Sequence, residues 1–469
     1  MSPVSTADAQ LEIERIAARI AAGDARRIAR SFGDLVRHTP VLSTNSLSEQ
    51  AGGRVLLKAE NLQRTGSFKL RGALSKLTAL GAPSAVVAGS AGNHGQSLAY
   101  AARSRSVDCE VFMPREAPVS KVAAVRGFGG IVHLHGGSVD EAVAAARARA
   151  VEIGAAFVHP FDDPDIILGQ ATLGVELLDD VPDLSRVIVP VGGGGLISGV
   201  AGAVRSQRPE VTVVGVQVAA CAPVATAHVN PDALAPQTRP TIADGIAVKR
   251  PGALTLPLVR RWVDEMCVVE EDDVAEAMVW LLERSKLVVE GAGAVGVAAL
   301  LVGATAPAAD GSTLVVLSGG NVDAGLLSLV AQRHETGAGR RLRVFTRISD
   351  RPGGLAALLT LVADAGANVR SVDHVREAVS LHVRQTGVEL LLETRGADHA
   401  REILQTLQRA GYDVQTLPAA GCAQPPGRRW TSDRIAQTAP KFRTQLPMNS
   451  IEVRPGHPGA PCARARSLT

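Results

Sequence analysis

Aromatic residues are scarce in this chain: eight Phe, three Trp and two Tyr among 469 residues, or 3%. The apolar content is therefore mostly Ala, Val and Leu, the filling of helices packed on buried parallel strands, which favours an α/β protein. Long hydrophobic runs are missing too. No stretch of about 18 apolar residues occurs, so no membrane-spanning helix is expected. The N-terminus, "MSPVSTADAQLEIERIAARI", carries acids where a secretion signal needs an apolar run, so a cytoplasmic protein is expected. The five cysteines (Cys109, Cys221, Cys267, Cys422, Cys462) lack C-x-x-C spacing, which argues against a zinc site and a disulfide framework. A strong overall charge is also lacking, since the net value is +3. Residues 420–469 hold eight basic residues against Asp433 and Glu452, a surplus of six that leaves the first 419 residues at −3. A mildly acidic body and a basic tail without interleaved aromatics do not make a nucleic-acid platform.

What is present is alternation. Short Val/Ile-rich runs ("RVLLKAE" at 54–60, "SAVVAGS" at 84–90, "DCEVFMP" at 108–114, "IVHLHG" at 131–136, "SRVIVPVG" at 185–192, "VTVVGVQV" at 211–218, "STLVVLSGG" at 312–320) are separated by helical stretches. That order predicts parallel sheets covered by helices on both faces, with ligands beyond the carboxyl ends of the strands. Three of the runs end on glycine-rich turns, in "VAGSAGNHG", "VPVGGGGL" and "VLSGGN", so all three can line one crevice. Residues 1–332 form this body, and "RHETGAGRR" (333–341) reads as a linker. Residues 342–419 then run strand, helix, strand, strand, helix, strand, a βαββαβ ferredoxin-like module. From 420 onward breakers replace periodicity, and the tail is expected to be disordered.

The chemistry starts from Gly192 to Gly195, which follow a strand and precede a helix. Four glycines free the backbone to aim several N–H groups at an anion, and a phosphate fits such a nest; a plain strand-to-helix turn accounts for the run equally well. No G-K-[ST] follows, so it is not a Walker loop, and a dinucleotide-binding acid is absent; a single phosphate monoester is the better match. In "TGSFKLRGA", Lys69 stands just inside a helix start. Most helix lysines snorkel to water. A partly buried one loses pKa and presents a neutral amine able to form a Schiff base. A phosphate nest and a buried amine together match pyridoxal 5′-phosphate, with Asn93 placed for the ring 3′-oxygen and Ser318 for the pyridine nitrogen.

The stretches "TGSFKLRGA", "SAGNHGQSLAYAAR", "MPREAPVSKVAAVRGFGG", "PFDDPDIILGQATLGVE", "VPVGGGGLISG", "ADGIAVKRPG", "VVEGAGAVGVAAL" and "LSGGNVD", in this order, resemble the threonine dehydratase (threonine ammonia-lyase) family. The resemblance implies a tryptophan-synthase-β-like type II fold with two open parallel-sheet subdomains, binding pyridoxal 5′-phosphate. "SDRPGGLAALLTLVADAGANV" (349–369) resembles an ACT domain, a module that often binds amino acids between paired copies. By this resemblance Lys69 carries the cofactor, Phe68 packs against it, and Gly192, Gly193, Gly194, Gly195 and Leu196 hold its phosphate. Asn93 meets the 3′-oxygen and Ser318 the ring nitrogen, while Gly245 and Glu290 lie near the cofactor. Ser90, Asn93 and His94 match the loop that grips the substrate carboxylate.

The reaction implied is deaminating dehydration of L-threonine to 2-oxobutanoate and ammonia, and of L-serine to pyruvate, within isoleucine biosynthesis or threonine breakdown. Lys69, once freed, is the base for the α-proton. A neutral Ser318 makes the ring a weaker electron sink than an aspartate would, which favours expelling the β-hydroxyl over amino transfer. Two departures distinguish the chain from serine racemases of this fold. Ala91 stands where those carry a second serine base, and Gln217 and Pro223 replace carboxylates of their divalent-metal site, so no metal is expected. A serine dehydratase or racemase, and an amino-acid-binding regulator with an inactive catalytic body, are the competing readings. In the C-terminal module Gly353, Gly354 and Asn368 are candidate effector contacts, and ACT pairing implies a homo-oligomer, a tetramer or dimer.

Overall fold

The computed structural model describes residues 6–230, 237–375 and 384–417. Its strands are β1 (Val41–Ser43), β2 (Val55–Lys58), β3 (Ala85–Gly89), β4 (Asp108–Met113), β5 (Ile131–Leu134), β6 (Ala156–Phe157), β7 (Leu184–Pro190), β8 (Thr212–Val218), β9 (Glu265–Val269), β10 (Ser312–Val316), β11 (Arg341–Ser349), β12 (Asn368–Val375), β13 (Gln385–Glu393) and β14 (Val414–Thr416). They form a six-stranded sheet in the order β1-β2-β10-β7-β8-β9, a four-stranded sheet β5-β4-β3-β6, and a four-stranded sheet β12-β13-β11-β14. The first two are parallel except for β1, which runs antiparallel on β2. The expected α/β architecture with two parallel-sheet subdomains is present.

Alternation within each strand feeds both faces of the large sheet. Val55, Leu57, Ile188, Val214 and Val216 pack into one apolar cluster, while Leu56, Val187, Val189, Val213, Leu314 and Val316 pack into the other. Strands buried on both faces read as continuous apolar runs, which is why they were legible. β1, β6 and β9 were not expected. β1 and β6 are only three and two residues long, and β9 is an edge strand with an exposed start, so none carries a strong apolar run.

Topology brings the motifs together. The chain lays down β2, leaves to build the small sheet, and returns to insert β10 between β2 and β7. The carboxyl ends of three adjacent parallel strands therefore lead to the Lys69 segment, to Ser318 and to the four glycines. Backbone bonds lock the first two together: Phe68 N–H donates to Ser318 O (3.1 Å), and Ser67 bridges Gly319. Helix Pro164–Asp180 then sets the spacing between lysine and glycines. A Cβ built on its Gly169 would lie 2.6 Å from Gly72 Cα of helix Lys69–Leu80. A Cβ on Gly199 of helix Gly195–Gln207 would lie 2.5 Å from Ile167 O of the same central helix. Only glycine allows backbones to approach this closely, so the two functional helices are held at fixed distances from one spacer.

The C-terminal module is βαββαβ: β11, helix Gly354–Asp364, β12, β13, helix Ala397–Arg409 and β14, with an antiparallel sheet of ferredoxin-like order. Val344, Val388, Leu390, Leu392, Leu358 and Ile403 form its own core. Segment 333–341, read as a linker, needs correction. Helix Ala324–Gly337 runs through most of it and β11 begins at Arg341, leaving a three-residue connection. The glycines that suggested a breaker end the helix instead of preventing it. The tail expected to be disordered lies outside the described residues. Among the described residues no helix is long and apolar enough to cross a membrane.

Candidate active site

Lys69 opens its helix with no side-chain cap in front of it, and its amine donates to Pro160 O at 2.8 Å. The Phe68 ring lies beside it, 5.2 Å from Nζ to the ring centre. Burial lowers the amine from its ordinary value to about 8, against a smaller upward pull from the Glu290 carboxylate. The next residue after Pro160 reaches the glycines. A Cβ built on Gly193 would fall 2.4 Å from the Phe161 ring, and one on Gly195 would fall 2.9 Å from Phe161 Cβ. Amine and glycine bend are thus joined through the two residues Pro160 and Phe161.

The bend itself is constrained from both sides. Gly194 has φ +94°, a conformation that side chains disfavour, and helix Gly195–Gln207 has no side chain capping its first N–H groups. Thr255 Oγ1 donates to Gly193 O (2.5 Å), and a Cβ on Gly192 would press on Ile246 Cα at 3.0 Å. Asp162 accepts from the N–H groups of Ala253, Leu254 and Thr255, and His159 Nδ1 accepts from Asp162 N–H (2.8 Å) and Phe161 N–H (3.3 Å). The segment "HPFDD" (159–163) thus ties the lysine, the glycine bend and helix Thr255–Trp262 into one knot.

A second cluster centres on Asn93 and Glu290. Asn93, at the start of helix Asn93–Arg103, donates from Nδ2 to Glu290 Oε1 (2.6 Å). Asn321 Nδ2 donates to Asn93 Oδ1 and to Thr65 O, both at 2.8 Å. Glu290 is buried, its Oε2 has no partner among the described residues, and burial followed by Asp244 raises its carboxyl to about 7. The carboxyl fits because Gly319 and Gly245 flank it: a Cβ on Gly319 would lie 2.3 Å, and one on Gly245 3.5 Å, from Oε1. Lys121 of the small subdomain pairs with Asp244 at 2.5 Å, and with Glu290, Asn321 and Asp323 these residues line a cavity of about 350 Å³.

Lys69 and Phe68 are thus tied through Pro160 and Phe161 to Gly193 and Gly195 and through the backbone to Ser318. Asn93, Glu290 and Gly245 are tied through Asn321 to Thr65 of the Lys69 segment, which makes one contiguous site. Ser90 and His94 sit beside it with their side chains engaged in the loop. Ser90 Oγ accepts from Gly92 N–H and Gly95 N–H, both at 3.0 Å. His94 Nε2 pairs with Val158 O at 3.1 Å, and burial holds its ring near a pKa of about 3, so it stays neutral. Gln217, read against a metal, uses both ends of its amide on Val191 O and Ala225 N–H. Gly353, Gly354 and Asn368 lie in the separate C-terminal module. Gly353 has φ +88° and precedes an uncapped helix start, and Asn368 Nδ2 donates to Glu393 (2.9 Å). Pro160, Phe161, Asp162, Thr255 and Asn321 were missed as contributors. "PFDDPD" and "LSGGNVD" contain most of them, but their partners lie tens to hundreds of residues away in sequence.

This site carries an amine depressed by burial, a glycine bend with uncapped N–H groups, and a buried carboxyl oxygen without a partner among the described residues. Those features fit a group with one aldehyde, one phosphate and an oxygen-bearing ring. The chain belongs to the pyridoxal-phosphate dependent enzyme family, whose model matches residues 33–319. It is 44% identical over 397 residues to an L-threonine ammonia-lyase of Thermotoga maritima, covering 84% of this chain and 98% of that protein. Since 397 aligned residues exceed the 319 that end the family match, this similarity continues into the C-terminal module. Among solved structures it resembles a T.th. threonine deaminase (TM-score 0.61, 40% identity, 64% of this chain and 98% of that one). It also resembles maize serine racemase (TM-score 0.62, 34% identity, 67% and 97%).

Proposed function

We propose that the chain is a pyridoxal-phosphate-dependent L-threonine ammonia-lyase, releasing 2-oxobutanoate and ammonia. The observation that carries this reading is the Lys69 amine, lowered to about 8 and held 2.8 Å from Pro160 O, one residue from the ring that packs on the phosphate nest. Bound at this site, pyridoxal phosphate supplies the electron sink that acidifies the Cα–H of a joined amino acid.

The chain's own groups do the rest. Gly192 to Leu196 hold the phosphate through backbone N–H groups, Asn93 donates to the ring oxygen, and the Ser318 hydroxyl faces the ring nitrogen without supplying a full charge. The Ser90–His94 loop takes the substrate carboxylate through its backbone at the start of helix Asn93–Arg103, with Ser90 Oγ and the neutral His94 ring shaping that loop. Lys69 Nζ removes the α-proton on one face. Ala91 offers no base on the opposite face, which supports elimination over racemisation. The hydroxyl leaves from Cβ, and L-serine, which lacks only the methyl group, is a second substrate.

The C-terminal module serves as an ACT-type regulatory domain. Residues 342–419 follow the catalytic 1–332 body, and Gly353, Gly354 and Asn368 form its amino-acid effector contact in a cytoplasmic homo-oligomer. The test is steady-state release of 2-oxo acid from L-threonine, L-serine and D-serine, with and without isoleucine and valine. Purified protein should be yellow and should turn over L-threonine. Colourless protein that binds an amino acid without turnover would favour the regulator reading, and interconversion of serine enantiomers the racemase reading.

A further inference from the structure

An asparagine that presents an N–H to a ligand must not rotate its amide by half a turn, because the oxygen would then face the same point. Nothing within Asn93 prevents that, since its two amide ends are nearly equal in shape. Its neighbours do. On one side Glu290 Oε1 lies 2.6 Å from Nδ2; on the other Asn321 Nδ2 lies 2.8 Å from Oδ1. A flipped amide would set oxygen against carboxylate and nitrogen against nitrogen.

Both neighbours are themselves fixed. Asn321 Nδ2 also donates to Thr65 O, which orients its own amide, and Asn321 Oδ1 occupies space that a Cβ on Gly66 would need, at 2.3 Å. Glu290 Oε1 occupies the corresponding space at Gly319, and the Glu290 backbone is bonded to Gly319 O through its N–H (3.1 Å). Of the two hydrogens on Asn93 Nδ2, one is used by Glu290. The other has no partner among the described residues.

We infer that Glu290 and Asn321 are positioning residues that hold the Asn93 amide in one orientation, leaving a single N–H for the ring oxygen of the cofactor. This rests on the proposed function and adds the device that orients its ring contact. Glu290 is costly to keep, because its Oε2 is buried without a partner among the described residues. A carboxyl retained at that cost points to a task other than stability.

The experiment is titration of the cofactor-free full-length chain with pyridoxal phosphate, followed by visible absorption, in wild type, Glu290→Ala, Glu290→Gln, Asn321→Ala and the double alanine variant. Glu290→Ala and Asn321→Ala should each weaken binding about tenfold and shift the absorption maximum, in line with one lost orienting hydrogen bond. Glu290→Gln keeps an acceptor at Oε1 and should stay within about threefold of wild type, with an unshifted maximum. Because both residues act on one amide, the double variant should bind about as weakly as either single one, well short of additivity. Cofactor-free Glu290→Gln should melt no lower than wild type, since it removes the unpaired buried carboxyl.

Glutamine behaving like alanine, full additivity, or single variants indistinguishable from wild type would each overturn the inference while leaving a yellow, threonine-consuming wild type intact. A wild type that takes up no pyridoxal phosphate would overturn the proposed function and this inference together.

Discussion

Lys69 and Arg71 are two residues apart on one helix, the first half-buried and the second wholly buried, and their charges meet opposite fates. On the front of the helix the Lys69 amine has one carbonyl partner and is pushed down to about 8. On the back, Arg71 is wholly buried and forks onto Glu60 (2.9 Å) and Glu176 (2.6 Å), which hold its charge in place and raise its pKa. Lys58, also wholly buried, joins the rear cluster through Glu176 (3.0 Å) and Asp180 (2.8 Å). Burial penalises both cations; the carboxylates decide the outcome. The rear cluster anchors the helix, and the front is left short of partners so that its amine can react.

The comparison can be broken in graded ways. The largest effect is expected from Lys69→Ala, which should lower threonine turnover by roughly 10³-fold or more, measured as 2-oxo acid release, while the fold survives. Arg71→Met comes next. It leaves the buried Glu60 carboxylate without its cation, while Glu176 keeps Lys58, and should cost about 3–5 kcal/mol in urea unfolding. Adding Glu60→Gln should restore part of that loss, whereas no rear-cluster change should restore activity to Lys69→Ala.

Asp162→Ala removes the acceptor for three backbone N–H groups at helix Thr255–Trp262 and should cost about 1 kcal/mol of stability. It should also weaken cofactor binding, since Thr255 supports Gly193. The smallest and sharpest test is pH. Below about 8 the Lys69 amine is protonated and cannot attack an aldehyde, so the initial rate of pyridoxal phosphate uptake by cofactor-free protein should rise with pH, half-maximal near 8. Glu290→Gln removes an anion that favours the charged amine, so the midpoint should move to lower pH. A midpoint near the ordinary lysine value would show that the front of the helix is no drier than its surface.

Much of this was legible from sequence because it is local. Residues 54–60, 211–218 and 312–320 each contain one apolar strand, and 185–192 holds all of β7 but its first residue, Leu184. Lys69 and the four glycines announce themselves through neighbours in the chain. His94 shows the limit: the resemblance puts it in the loop matched to the substrate carboxylate, and only the structure shows its ring engaged with Val158 O. Asn321 is the reverse case. It stands in a stretch that was read for Ser318, but its task depends on Asn93 and Thr65, more than 200 residues earlier.

The sequence by itself determined the element order, the apolar faces of the strands and the residue types able to hold an amine-bound phosphate compound, since periodicity and glycine content act over a few residues. Tertiary structure alone decided which charge is neutralised and which is left wanting. Those outcomes depend on carboxylates and carbonyls delivered by distant segments, at distances of 2.6–2.9 Å, to opposite sides of one helix.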